Sequence, residues 1–139
     1  MRLPFPVLAC CLGLLSGCSY FGYYKYEKAV ELPSMGRGEV RYPNSYEKGL
    51  HMDGPMTRAL AVAMNHYLPP GAKVQGDDKR INWCLSRWEN YDTSVLRVSD
   101  NLFFVEFAPD LSRCGIDAII PDAGAEYAID GQGRILDVH

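Results

Sequence analysis

The feature that most constrains the fold is one segment with a strong helical pattern and clear signals at both of its ends. Asp53 can cap the first turn, Pro55 suits the first helical positions, and Pro69 and Pro70 cannot continue a helix. The apolar residues between them recur at the spacing of one helix face: Met56, Ala59, Leu60, Ala63, Met64 and Tyr67. The pattern predicts an amphipathic helix over 55–68 with that face in the core.

The chain after this helix is rich in β-forming residues separated by turn signals. Apolar and polar residues alternate in the longest run, which favours a strand in which Trp83 and Trp88 face opposite sides of a sheet. Strands are predicted over 72–75, 81–91, 95–98, 102–107, 114–120, 126–130 and 135–138. One N-terminal helix before consecutive strands indicates an α+β domain, with the helix packed on an antiparallel sheet of about five or six strands. This element order is similar to that of cystatin-like or NTF2-like folds.

The first 17 residues have the proportions of a secretory signal peptide. Arg2 supplies a positive start, and an apolar run of nine residues extends over 7–15. A membrane-spanning helix needs about 20 apolar residues, so this run is too short to cross a bilayer. The small residues Ser16 and Gly17 then precede Cys18.

The motif Leu15-Ser16-Gly17-Cys18 resembles the lipobox of bacterial lipoproteins. The resemblance implies cleavage between Gly17 and Cys18, a lipid on the Cys18 thiol, and an acyl chain such as palmitate on the new amino group. Ser19 stands where inner-membrane lipoproteins usually carry Asp, which implies sorting to the outer membrane with the domain in the periplasm. Several acyl chains anchor a protein stably without a transmembrane helix. The alternative is an ordinary signal peptide that is cut elsewhere and leaves Cys18 free or removes it.

The five cysteines reduce to one structural pair under this interpretation. Cys10 and Cys11 leave with the signal peptide, and Cys18 carries the lipid, so Cys84 and Cys114 remain. An oxidising compartment favours a disulfide between Cys84 and Cys114. The alternative is a metal or redox pair, which the wide spacing and the lack of a CxxC motif disfavour.

Residues 18–50 are predicted to be a tether and linker between the anchor and one globular domain at 51–139. Tyrosine is favoured where membrane meets water, so the aromatic residues of the tether predict a juxtamembrane collar. The alternative is that they contact the globular domain. These aromatic residues are Tyr20, Phe21, Tyr23, Tyr24 and Tyr26. A short strand is predicted over 39–42.

Charge and motif content argue against several classes of function. The net charge is −3, and removal of residues 1–17 would take away Arg2, their only charge, and leave −4. An acidic chain does not suit nucleic acid as a partner. His51, His66 and His139 are dispersed without metal-binding spacing, and no serine lies in a GxSxG context. The sequence therefore predicts no catalytic residues, no metal site and no cofactor.

Aromatic and arginine residues at 83–97 form the most interesting candidate contact region, because these residue types dominate protein interfaces. We single out Arg87, Trp88 and Tyr91 as contacts for an envelope protein or a glycan. We expect Trp83 in the core, and for Trp88 core and surface positions both stay open. The leading hypothesis is an outer-membrane lipoprotein with a non-enzymatic binding domain, a class that includes inhibitor and immunity-type roles. The alternatives are a small enzyme with an NTF2-like pocket and a purely structural envelope lipoprotein.

Overall fold

The structure is a computed structural model that describes residues 29–30 and 40–139. These residues form two α-helices and a four-stranded antiparallel sheet, which confirms the predicted α+β class. The helices are α1 (Gly54–Tyr67) and α2 (Lys79–Leu85), and the strands are β1 (Tyr91–Ser99), β2 (Leu102–Pro109), β3 (Ala125–Ile129) and β4 (Ile135–Val138). Two short 3₁₀ helices, Trp88–Asn90 and Leu111–Cys114, precede β1 and follow β2.

Helix α1 begins and ends within one residue of the range predicted from its periodicity and caps. The Asp53 side chain accepts a hydrogen bond from the Met56 backbone N–H at 2.9 Å, which satisfies one of the free donors of the first turn. Ala59 and Ala63 are fully buried, and their small side chains let the helix lie close to the sheet. Helix α1 contacts β1, β2 and β3 and covers one face of the sheet.

The sheet is a simple meander in which each strand pairs with the next along the chain. Its inward residues form the centre of the core, because alternate side chains point to the α1 side. Phe103, Val105 and Phe107 of β2 and Tyr127 and Ile129 of β3 are all at most 2% exposed. The strands predicted over 102–107, 126–130 and 135–138 correspond to β2, β3 and β4, and the one over 95–98 lies inside β1.

The prediction of a strand over 81–91 is wrong, because most of this segment is helical. Asp78 caps α2 by accepting hydrogen bonds from the backbone N–H groups of Arg80 at 2.8 Å and Ile81 at 3.2 Å. Cys84 and Leu85 are adjacent and both buried, which a half-buried strand does not allow. The apolar residues at 81, 84 and 85 fit a helix face equally well.

The strands predicted over 72–75 and 114–120 are also absent. Residues 72–75 pair with no strand, and Cys114 ends a 3₁₀ helix that Gly115 terminates with a left-handed φ of 66°. The sheet therefore has four strands among the described residues, fewer than the predicted five or six, and two helices stand where one was expected. Residues 40–42 have no regular structure, and Glu39 lies outside the described residues.

The predicted disulfide is confirmed. Cys84 and Cys114 are bonded, with a sequence separation of 30 and a Cα–Cα distance of 6.0 Å. Cys84 is completely buried, so the bond is part of the core. It joins α2 to the 3₁₀ helix that follows β2.

Candidate binding surface

Trp83 lies on α2 with 55% of its area exposed, although the sequence predicts it in the core. That prediction is wrong because a helix turns Trp83 away from its buried neighbours Cys84 and Leu85, whereas a strand would keep it beside Leu85. The Arg87 guanidinium lies 4.3 Å from the centre of the Trp83 ring system. At this distance the cation is attracted to the ring face and stabilises one orientation of both side chains.

Two further cations flank this aromatic residue on the same helix. Lys79 lies one helical turn before Trp83, and Arg80 donates from Nη2 to the Gly115 carbonyl at 3.4 Å. We call Lys79, Arg80, Trp83 and Arg87 the Trp83 surface. Among the described residues, the carboxylate that pairs with this surface is that of Glu89, which forms an ion pair with Arg87 at 3.0 Å. The three cations of this surface therefore outnumber the one described carboxylate that forms an ion pair with them.

A shallow hollow of about 350 Å³ adjoins the indole ring. Its lining combines the apolar residues Ile116, Cys114 and Trp83 with Lys79 and Arg80. An apolar floor beside an aromatic face and cationic side chains suits a ligand with a flat or aliphatic part and an anionic or strongly polar part.

The structure separates the three residues singled out as partner contacts. Arg87 is exposed, whereas Tyr91 is 6% exposed and donates a hydrogen bond to the Leu85 carbonyl at 2.8 Å. Trp88 is half-buried, with its ring centre 4.9 Å from that of Phe107 and 5.5 Å from that of Tyr91. Trp88 and Tyr91 therefore pack inside the domain, and Trp83 is the exposed aromatic partner of Arg87. We call the packed rings the aromatic core, which consists of Tyr67, Trp88, Tyr91, Phe107 and Tyr127.

The tyrosine hydroxyls of this aromatic core are held in their protonated form. Burial raises the pKa of Tyr91, and a hydrogen bond with Tyr67 at 3.4 Å raises it further. Burial also raises the pKa of Tyr127, whose hydroxyl lies 3.0 Å from Nδ1 of His66. These groups are suited to hydrogen bonding inside the fold and not to proton abstraction at neutral pH.

A second, larger hollow of about 700 Å³ opens between the end of β2 and the loop 116–124. Its carboxylates are Glu106, Asp110, Asp117, Asp122 and Glu126. Hydrogen bonding from the Ser112 hydroxyl is the main cause that lowers the pKa of Asp110, and Arg113 pairs with the same carboxylate at 3.1 Å. Within residues 40–139, no group of three metal-ligating side chains converges here or elsewhere.

The lipidation and cleavage residues Gly17 and Cys18 lie outside the described residues, and so does most of the predicted tether. In the part of the chain that the structure describes, no helix is both long enough and apolar enough to cross a bilayer. No protein-family model matches this chain, and neither the curated proteins nor the solved structures compared with it gave a match.

Proposed function

We propose that this protein is a lipoprotein on the periplasmic face of the outer membrane, whose domain binds another envelope protein or a glycan without catalysing a reaction. The lipobox resemblance at Leu15 to Cys18 supports the anchor and the compartment. The Cys84–Cys114 disulfide supports an oxidising compartment, because such bonds rarely persist in the cytosol. The observation that carries the binding role is the exposed Trp83 beneath Arg87.

An exposed tryptophan of this kind has a cost that a structural role does not explain. A tryptophan buries roughly 150–250 Å² when it is covered, so leaving more than half of Trp83 in water forgoes much of that stabilisation. Tryptophan, tyrosine and arginine are enriched among the residues that contribute most to binding at the centres of protein interfaces. The Arg87 stack also fixes the ring before binding, which lowers the entropy that a partner must overcome.

The binding role is tested by Trp83→Ala and Arg87→Ala in the full chain, with Leu50→Ala as the matched control. Leu50 is 93% exposed and lies outside the Trp83 surface, so its loss removes a comparable exposed apolar side chain. We expect both surface variants to lose capture of detergent-solubilised envelope proteins or of isolated envelope glycans, while Leu50→Ala retains it. Equal capture by all three variants, with unchanged unfolding curves, would exclude the Trp83 surface as the binding site.

The anchor is tested separately by Cys18→Ala, with Cys10→Ala as the control. We expect Cys18→Ala to abolish incorporation of labelled palmitate and to release the protein from the outer-membrane fraction. Cys10→Ala removes a cysteine from the same N-terminal region and should change neither result. Normal labelling and fractionation of Cys18→Ala would contradict the lipoprotein proposal and leave the binding proposal standing.

A further inference from the structure

We propose that the sheet face opposite α1 docks a basic amphipathic segment of a partner protein. This outer face consists of the outward residues of the four strands, which are Asp92, Ser94, Leu96, Phe104, Glu106, Ala108, Glu126, Ala128 and Asp137. Helix α1 covers only the opposite side, where Phe103, Val105 and Phe107 are buried. The docking face is separate from the Trp83 surface, so the inference does not depend on that site.

An apolar row crosses the outer face from strand to strand. Leu96 is the register partner of Phe104, and Phe104 is the register partner of Ala128. Leu96 is 59% exposed and Phe104 is 37% exposed. Nothing in the packing of the described residues requires an apolar side chain at these solvent-facing positions. Val98 and Leu136, each 57% exposed, lie next to register irregularities toward the same end of the sheet. Exposed apolar side chains therefore lie close together at this end of the sheet.

An acidic row runs directly beside the apolar one. Glu106 and Glu126 are register partners, so their carboxylates project side by side from neighbouring strands. Like charges placed opposite each other destabilise a sheet. Neither glutamate forms an ion pair with any residue of the described ranges. No lysine or arginine occupies an outward position of the four strands to relieve the repulsion.

The apolar row and the acidic row together indicate which kind of partner segment fits the outer face. A segment with a line of apolar side chains would cover Leu96 and Phe104, and lysines or arginines along one flank would neutralise Glu106 and Glu126. A second copy of the chain packed through this face would bring another unpaired pair of glutamates. The basic groups beside the face, Arg113 and His139, already pair with Asp92 and Asp137 and would not neutralise them. The charge pattern therefore favours a basic partner over self-association.

The first test uses a synthetic amphipathic peptide of leucine and lysine as the probe, titrated into the full chain in detergent micelles. The control probe is the same peptide with every lysine replaced by glutamate. We expect the lysine peptide to bind and its affinity to fall as salt rises, whereas the glutamate peptide should not bind. Equal binding of both peptides, or binding of neither, would overturn the proposal.

The second test asks whether the binding depends on this face. Glu106→Gln with Glu126→Gln should weaken the lysine peptide roughly tenfold, and Leu96→Ala should weaken it as well. Glu47→Gln with Asp77→Asn changes the net charge by the same amount at exposed positions elsewhere and should leave the affinity unchanged. Equal weakening by both charge pairs would show attraction to net charge alone and overturn the proposal. Trp83→Ala should retain the peptide, which separates this result from the role of the Trp83 surface.

The third test identifies the occupant in the native host with a photo-crosslinking amino acid at position 104. The proposal requires that the crosslinked partner segment carry apolar residues flanked by lysine or arginine, and that a synthetic copy of it pass the two tests above. A crosslink to a second copy of the chain, or to residues 19–28 of the same chain, would overturn it. So would the recovery of no crosslinked partner.

Discussion

Removal of the Cys84–Cys114 disulfide is the perturbation whose effect can be worked out most directly. The bond closes a loop with a sequence separation of 30, and in the chain-entropy model a loop of that length contributes about 3.6 kcal/mol at 25 °C. Cys84 is completely buried, so Cys84→Ala with Cys114→Ala also removes some core packing. Domains of this size are stable by about 5–15 kcal/mol, so the double variant should lose a large share of its stability.

The loss should be concentrated at α2, because this helix depends on the bond. An isolated helix of seven residues is not stable in water, and the principal contacts of α2 are with the two 3₁₀ helices. The 3₁₀ helix after β2 carries Cys114, so the disulfide joins α2 to one of its few supports. Trp83 and the stacked Arg87 should lose their fixed arrangement together with the helix.

The measurement is urea unfolding of the full chain followed by circular dichroism, together with quenching of tryptophan fluorescence by iodide. We expect the double variant and the reduced wild-type protein to unfold at similar, lower urea concentrations than the oxidised protein. A loss of less than about 1 kcal/mol in both would refute the argument, since it would mean that loop closure contributes little here. Hydrogen exchange measures the effect on α2 itself. If the exchange rate of the peptide that contains α2 were the same in the double variant and the oxidised protein, the argument that the loss is concentrated at α2 would be refuted.

Three further perturbations test the core and its turns. Trp88→Ala should lower the free energy of unfolding by about 2–4 kcal/mol in urea, since its ring packs in the aromatic core; a change below about 0.5 kcal/mol would place it on the surface. The hydrogen bond from the Arg134 backbone N–H is the largest cause that lowers the pKa of Asp130. The ionised Asp130 carboxylate should therefore stabilise the fold fully above about pH 4, and this stabilisation should be lost as the pH falls further. Acid titration of the unfolding free energy checks this, and Asp130→Asn should remove that part of the pH dependence. Gly124→Ala should cost about 1–3 kcal/mol by thermal unfolding, because its Cβ would lie 2.6 Å from a β2 carbonyl oxygen, whereas Gly54→Ala meets no atom within 4 Å.

Helix α1 could be predicted to within one residue because local signals determine both of its ends. The Asp53 cap and the two prolines after Leu68 act within a few residues of the chain, whatever the rest of the fold does. Strand β2 was recognisable for a similar reason. Its aromatic and β-branched residues alternate between core and solvent, as Phe103 and Phe104 do.

Helix α2 was missed because its seven residues satisfy two periods at once. Ile81, Trp83 and Leu85 alternate like a strand, whereas Ile81, Cys84 and Leu85 follow the spacing of a helix face. The cap at Asp78 was the sequence signal that could have decided between them, since its carboxylate accepts two backbone hydrogen bonds at the start of α2. Segment length could not decide, because seven residues suit a strand as well as a short helix.

The error in the period explains why the exposure of the two tryptophans differs from the expectation. A strand places Trp83 with the buried Leu85 and leaves Trp88 on the other face. A helix followed by a 3₁₀ turn exposes Trp83 beside Arg87 and packs Trp88 against Phe107. Side-chain exposure in this segment therefore follows from backbone period and not from residue type, which is why the contact residues could not be assigned from composition.

The same change of period also connects the Trp83 surface to the disulfide. In a strand, Cys84 would have pointed away from Trp83 without affecting its position, but in α2 the two residues are neighbours on a helix that the bond holds in place. A chain that keeps both thiols reduced has no covalent support for this helix, and a helix of this length does not form on its own. The proposed export to an oxidising compartment would then also allow the disulfide to form. It would complete the support of α2, so that the proposed binding through Trp83 and Arg87 should be strongest in the oxidised protein.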